Sequence, residues 1–181
     1  MPETSTTIQP LDAPAAEALA PQLAALLQDA VASGASLGFW NPLEDDRARA
    51  YWQDVIAGVR AGAVRLLVAQ REGAAVGSVQ LAPSPKQNAT RRAEIQKLIV
   101  HRSARRQGIA RALMGAVERL AADEGRTLLF LDTNTGSDAE LFYLALGYRK
   151  AGVIPRYTVE RDGTEYATTL FYKSLDDAPQ D

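Results

Sequence analysis

Residues 92–113, Arg92-Ala-Glu-Ile-Gln-Lys-Leu-Ile-Val-His-Arg-Ser-Ala-Arg-Arg-Gln-Gly-Ile-Ala-Arg-Ala-Leu113, constrain the fold of this chain more than any other stretch. Ala93 to Val100 reads as a strand, Arg102 to Gln107 as a basic turn, and Gly108 as the mouth of a helix. Ile109, Leu113, Val117 and Leu120 then recur at the spacing of one helical face. A helix N-terminus presents unpaired N–H groups and partial positive charge, so it holds phosphate well. Glycine at that mouth leaves no Cβ between backbone and anion. Arg105, Arg106 and Arg111 add counter-charge. Such a segment is a seat for a pyrophosphate.

Other elements alternate around it. Thr6 to Leu11 is a candidate first strand, and Asp12 to Ser33 is a helix that Pro21 either kinks or restarts. A second helix is expected to open with Asn41 as cap and Pro42 at its first position, with Glu44, Asp45 and Asp46 against the dipole. Its buried face would be Ala48, Trp52, Val55, Ile56 and Val59, with Gly62 closing it. Ala63 to Gln70 and Ala74 to Leu81 flank Arg71-Glu-Gly73, a hairpin signal. Thr127 to Leu131 is a continuous apolar run, as in a strand covered on both faces. Ser137-Asp-Ala-Glu140 has the pattern of a capping box and starts a helix that Gly147 ends. Tyr148 to Val153 is a further strand, and Arg156 to Glu160 pairs with Thr164 to Tyr172 around Arg161-Asp-Gly163. The order is that of an α/β domain.

The chain has 181 residues, a length that buries one sizeable core and hardly two. One domain over 1–175 is expected, with a disordered tail at 176–181. A net charge of −2 provides no global basic field, so no nucleic-acid partner is expected. With no cysteine there is no thiol nucleophile, and the single histidine, His101, argues against histidine-rich metal sites and a Ser-His-Asp triad. The N-terminus lacks the basic start and apolar run of a signal peptide, and no apolar segment is long enough to span a bilayer. Cytoplasmic location and no membrane partner are the expectations.

Arg105-x-x-Gly108-x-Ala110 matches the signature [Gln/Arg]-x-x-Gly-x-[Gly/Ala], and on this motif the chain resembles the GNAT N-acetyltransferases. The likeness extends to Gly34-Ala-Ser-Leu-Gly-Phe39, Leu128-Leu-Phe-Leu-Asp-Thr133, Gly136, Ser137 and Phe142-Tyr143, where it is greatest toward the tabtoxin-resistance branch. The resemblance implies a mixed twisted sheet of about six to seven strands with helices on both faces. It implies acetyl-CoA as co-substrate and no metal. Its pyrophosphate would lie on Arg105, Arg106, Gln107, Gly108, Ile109, Ala110 and Arg111. Backbone groups of Leu98, Ile99 and Val100 would meet the pantetheine arm and the thioester oxygen. The chain departs from the commonest pattern at Arg102 where proline is frequent, and at Arg106 and Ala110 where glycine is frequent.

Acetyl transfer to an amine needs a base, because an ammonium with a pKa near ~10 has no lone pair. Asp132 and Glu94 are the candidates. Asp132 follows Phe130-Leu131 at the carboxyl end of a strand, where open α/β sheets place ligands and where partial desolvation is expected. Glu94 would share a strand face with Gln96, Leu98 and Val100 by strict alternation; it could equally face Arg91 or Arg92 on the surface. Tyr143 is assigned as proton donor to the departing sulfur by the resemblance, whereas its spacing with Ala139, Phe142 and Leu146 suggests packing; Tyr148 is a weaker rival. Gly34 to Phe39 is a candidate substrate loop, and Trp52 is read as core. The expected reaction is direct transfer to the amine of a small molecule, such as an amino-acid-like antimetabolite or antibiotic, by a monomer or homodimer. A protein or peptide N-terminal acetyltransferase and a non-catalytic acyl-CoA sensor are the alternatives.

Overall fold

Strand β1 (Thr6–Leu11) leads into helix α1 (Ala13–Ala32), whose first turn is capped where Asp12 Oδ1 accepts from the Ala15 N–H at 2.9 Å. Pro21 stays inside α1, so no fresh helix starts there. Helix α2 (Asp45–Arg60), the hairpin β2 (Arg65–Arg71) and β3 (Ala74–Pro83), and strand β4 (Arg92–Val100) follow. Next come α3 (Ile109–Asp123), β5 (Leu128–Asn134), α4 (Asp138–Ala145), β6 (Arg149–Val159) and β7 (Glu165–Ser174). The computed structural model describes residues 5–176; within them the strands form one sheet of seven, ordered β1-β2-β3-β4-β5-β7-β6. Every neighbouring pair is antiparallel except β4 and β5.

Alternation along the strands builds two apolar clusters, one on each face. Leu66 and Val68 join α1 and α2, including fully buried Trp52, while Leu67 and Ala69 join α3 and Tyr143 of α4. Each fully buried large side chain contributes roughly 1.5–3 kcal/mol. Ile109, Leu113 and Val117 are buried on α3, with Met114 and Ala121 beside them. Gly77 lets that helix lie close: a Cβ there would stand 3.1 Å from Leu113 and 3.0 Å from the Ile99 carbonyl. At the β2–β3 turn Glu72 and Gly73 both have positive φ, as a two-residue hairpin of matching twist requires.

Several local expectations need correction. Helix α2 begins at Asp45 rather than Pro42, because Leu43 is buried against α1 and its carbonyl accepts from Gln28 Nε2 at 3.1 Å. Strand β5 is covered on one face only: Leu129 and Leu131 are buried, whereas Leu128 is 40% exposed. Ser137 makes no side-chain cap bond on α4, and Glu140 turns inward to accept from Thr169 Oγ1. The two strands expected over 148–153 and 156–160 are one, β6, irregular where Pro155 and Arg156 (φ +52°) shift its register against β7. Of the expected tail, Asp176 pairs with Arg91, and 177–181 lie outside the described residues.

Strand β4 carries the largest departure. Its register against β3 changes from Gln80↔Gln96 to Ser78↔Ile99, so Lys97 and Leu98 together oppose Val79. Lys97 takes φ +50°, a left-handed conformation that costs a lysine roughly 1–3 kcal/mol. The extra residue reverses the alternation. Ala93 and Ile95 face the α3 cluster, but beyond the bulge Ile99 faces α1 while Leu98 and Val100 pack toward α3. Glu94 therefore does not share a face with Leu98 and Val100.

Candidate active site

Strands β4 and β5 pair only through Arg92↔Leu128, Ala93↔Leu129 and Glu94↔Phe130. They then part. Strand β5 stays paired to β7 along its whole length, from Leu128↔Ser174 to Asn134↔Thr168, while the Lys97 bulge bends β4 away. The opening is a cleft of about 480 Å³ whose walls include Glu94, Lys97, Leu98, Asp132, Tyr143 and Thr168, with Gly34 to Gly38 over it. Catalytic candidates from three separated sequence segments meet there.

Asp132 accepts a hydrogen bond from Thr168 Oγ1 at 2.7 Å, which aims its carboxylate into the cleft. It opens onto that space because the parting of the strands uncovers it. Glu94 is half-buried, and no described arginine pairs with it. Arg91 binds Thr127 Oγ1 at 3.0 Å and Asp176, and the Arg92 guanidinium lies 5.7 Å from the Phe130 ring centre.

Tyr143 reaches the cleft from α4 with its ring packed among Phe142, Tyr148 and Phe171. Packing and cleft lining coincide in this one side chain. Burial, then the charge of Asp132, pushes its hydroxyl pKa up to about 12, so it carries its proton at neutral pH. Tyr148 is 2% exposed and absent from the cleft walls; burial and the nearby Glu118 carboxylate raise its pKa too.

The basic turn has the geometry of an anion cradle. Arg106 (φ +62°) and Gly108 (φ +80°) are both left-handed, and nothing stands within 4 Å of where a Gly108 Cβ would be. Among the described residues no backbone carbonyl accepts from the N–H groups of Arg106, Gln107 or Gly108. Ile109, Ala110 and Arg111 open α3, so theirs are free by helix geometry. Arg105, Arg106 and Arg111 belong to the same segment and are exposed. Arg71 Nη1 holds the Gln107 side chain at 2.8 Å, and Arg105 Nε donates to the Val100 carbonyl at 3.1 Å.

That last bond also shows where the β4 edge points. The His101 N–H bonds to Val76 of β3, so alternation turns Ile99 the same way and aims the backbone groups of Leu98 and Val100 into the gap toward β5. The described residues thus fit a phosphate at α3 and an extended arm along β4. Arg102, in place of the frequent proline, anchors the turn to α1: its N–H donates to Asp29 Oδ2 at 2.9 Å and its guanidinium pairs with the same carboxylate. Burial works against the Asp29 charge, but the Arg102 bonds and the His101 and Arg102 charges outweigh it and hold the pKa low. His101 caps this turn, accepting at Nδ1 from the Ser103 N–H at 3.2 Å, and does not line the cleft.

Three cleft residues escaped the sequence reading: Lys97, Tyr51 and Thr168. Lys97 carried a signal. Strict alternation set it between Ile95 and Ile99 on a buried face, a conflict that a bulge resolves. Tyr51 accepts from Gln80 Nε2 at 2.8 Å, and burial raises its pKa to about 12. It lies on α2 next to Trp52, where nothing in the periodicity separates core from cleft.

A sequence model of the acetyltransferase (GNAT) family matches residues 24–148. Among solved structures, the ribosomal-protein-alanine N-acetyltransferase from Brucella melitensis is similar at 24% identity, covering 93% of this chain and 99% of its own, with a TM-score of 0.74. The yncA protein from Salmonella typhimurium, solved with its cofactor acetyl-CoA, is 18% identical over 98% of both chains, with a TM-score of 0.75. Aminoglycoside 6'-acetyltransferase type Ii is 21% identical over 96% of this chain and 99% of its own, with a TM-score of 0.72. At such identities the likeness is one of fold.

Proposed function

The chain belongs to the GNAT family of acetyltransferases, and from that premise we propose that it is an acetyl-CoA-dependent N-acetyltransferase acting on the amine of a small molecule. Transfer is direct, within a ternary complex. The observation that carries this reading is the convergence of Glu94, Asp132 and Tyr143 on one cleft between β4 and β5, with the cradle before α3 at the end of the same strand. The acetyl-CoA bound to the Salmonella yncA protein and the aminoglycoside named for a second similar fold support the choice of co-substrate and acceptor class.

Acetyl-CoA supplies the acetyl group as an activated thioester. The free N–H groups of Arg106 to Arg111, with the arginine side chains, would hold its pyrophosphate, while Leu98 and Val100 offer backbone groups to its arm. One of Asp132 and Glu94 takes the proton from the incoming ammonium, and the other holds that ammonium in place. The Tyr143 hydroxyl, protonated at neutral pH, serves the departing sulfur.

A cleft of about 480 Å³ is of a size to take a small acceptor. Trp40 Nε1 donates to the Val159 carbonyl at 2.9 Å, and Arg161 lies 5.5 Å from the Trp40 ring centre, joining the loop after α1 to the β6–β7 arm beside the opening. Amino-acid-like antimetabolites, β-lactam amino acids first, are the acceptors of choice. The test is thiol release from acetyl-CoA with amino acids, polyamines, aminoglycosides and β-lactam amino acids. One amine should raise release above hydrolysis and yield its N-acetyl product by mass. Tight acetyl-CoA binding with no acceptor-dependent release would point instead to a sensor.

A further inference from the structure

Among the described residues, Lys97 is the one cationic side chain that lines the cleft. Its ammonium lies 5.9 Å from the Phe39 ring centre and 5.8 Å from that of Tyr51, and a Cβ on Gly38 would stand 3.9 Å from it. Two aromatic rings thus flank the charge, which makes no hydrogen bond among the described residues. Glu94 and Asp132 attract it electrostatically, yet no described carboxylate comes within 4.0 Å. Burial disfavours its charged form more than these acids restore it.

An acceptor that brought only an ammonium would meet repulsion from this lysine. One that also brought an anion beside its amine would satisfy every charge at once, its ammonium against Glu94 and Asp132 and its anion against Lys97. We propose that Lys97 determines specificity by binding the carboxylate of the acceptor, so that this cleft takes amino acids and related molecules with an acid group next to the amine. The assignment rests on the acetyl-transfer reading of the same cleft. It also accounts for a lysine at a strained bulge position, where the left-handed backbone turns the side chain out of the core and under the Gly34 to Phe39 loop.

The proteinogenic L-amino acids and their carboxamides form matched probe pairs that differ in the acid group. Turnover is read as thiol release from acetyl-CoA, and binding by calorimetry on the protein saturated with coenzyme A. For at least one pair the acid should have a kcat/KM tenfold or more above its amide, although the amide's amine loses its proton more readily. Lys97→Met should abolish that preference by raising KM for the acid about tenfold, while KM for the amide falls, because its ammonium no longer meets the lysine's charge. Lys97→Gly, which accepts the left-handed backbone freely, should do the same and guards against a folding defect. Carboxylate-dependent binding that Lys97→Met removes, without any thiol release, would keep Lys97 in this role and overturn the transfer reading. Equal use or equal affinity for acid and amide, or affinity for neither, would overturn the role of Lys97.

Discussion

Thr168 Oγ1 stands 2.7 Å from Asp132 Oδ2 and 2.9 Å from the Thr133 carbonyl, so its single proton has two acceptors and the charged one draws it more strongly. The bond holds Asp132 toward the cleft from β7, across the strand pair that remains closed. A hydrogen bond to a charged group is worth about 1.5–3 kcal/mol. Thr168→Val should therefore lower kcat/KM for the amine by roughly tenfold or more while acetyl-CoA affinity is retained. Steady-state kinetics in both substrates decide this, and an unchanged kcat/KM would mean Asp132 needs no such support.

The cradle before α3 predicts a cofactor phenotype. Gly108 is left-handed with open space beyond its Cα, so a valine there both strains the turn and fills the approach to the free N–H groups. Calorimetry on folded Gly108→Val should show acetyl-CoA binding weakened at least tenfold, about 1.4 kcal/mol. Wild-type affinity would remove the seat from this turn.

For Tyr143, the hydroxyl matters mainly as the sulfur departs, so Tyr143→Phe should lower kcat and leave acetyl-CoA binding nearly intact. General acids contribute about 10²–10⁴-fold. A Phe variant with wild-type single-turnover rates would assign the residue to packing with Phe142, Tyr148 and Phe171 alone.

Lys97 ties stability to pH. Its pKa in the folded protein is lowered below the ordinary 10.5, with burial as the main cause. Below that folded pKa the unfolded and folded chains both carry the proton, and the buried charge costs stability in full. Between the lowered pKa and 10.5 the unfolded state binds more protons, so stability rises with pH. Relative to Lys97→Met, wild type should gain stability across this window, measured by urea unfolding at several pH values. A difference that stays constant with pH would contradict the burial of this charge.

Much of this architecture is legible in the residues themselves. The strand, basic turn and glycine-opened helix over 92–113 can be read because propensity, apolar period and the Gly108 position agree. So can the hairpin around Arg71-Glu-Gly73, where Gly73 takes a positive φ. The bulge at Lys97 is hidden because period-two reasoning assumes regular pairing, and one inserted residue reverses every face after it. Its consequence is large: it opens the cleft and brings Lys97 to the wall. Helix α2 misled for a tertiary reason, since burial of Leu43 outweighs the start signal in Asn41-Pro42. Glu140 left its expected cap because buried Thr169 offered a hydrogen bond and Lys150 an opposite charge. Asp132, Glu94 and Tyr143 were nameable from motif context, but their meeting in one cleft depends on the splay of β4 from β5, which no local pattern encodes.

The central claim, that cleft carboxylates remove the acceptor's proton, is tested most directly by the pH dependence of kcat/KM for the best acceptor. Wild type, Asp132→Asn and Glu94→Gln are compared with acetyl-CoA saturating. One variant should lose the acidic limb of the profile, and the other should keep it and mainly raise KM, as a partner of the substrate ammonium would. Both variants retaining the wild-type profile and rate would contradict the account.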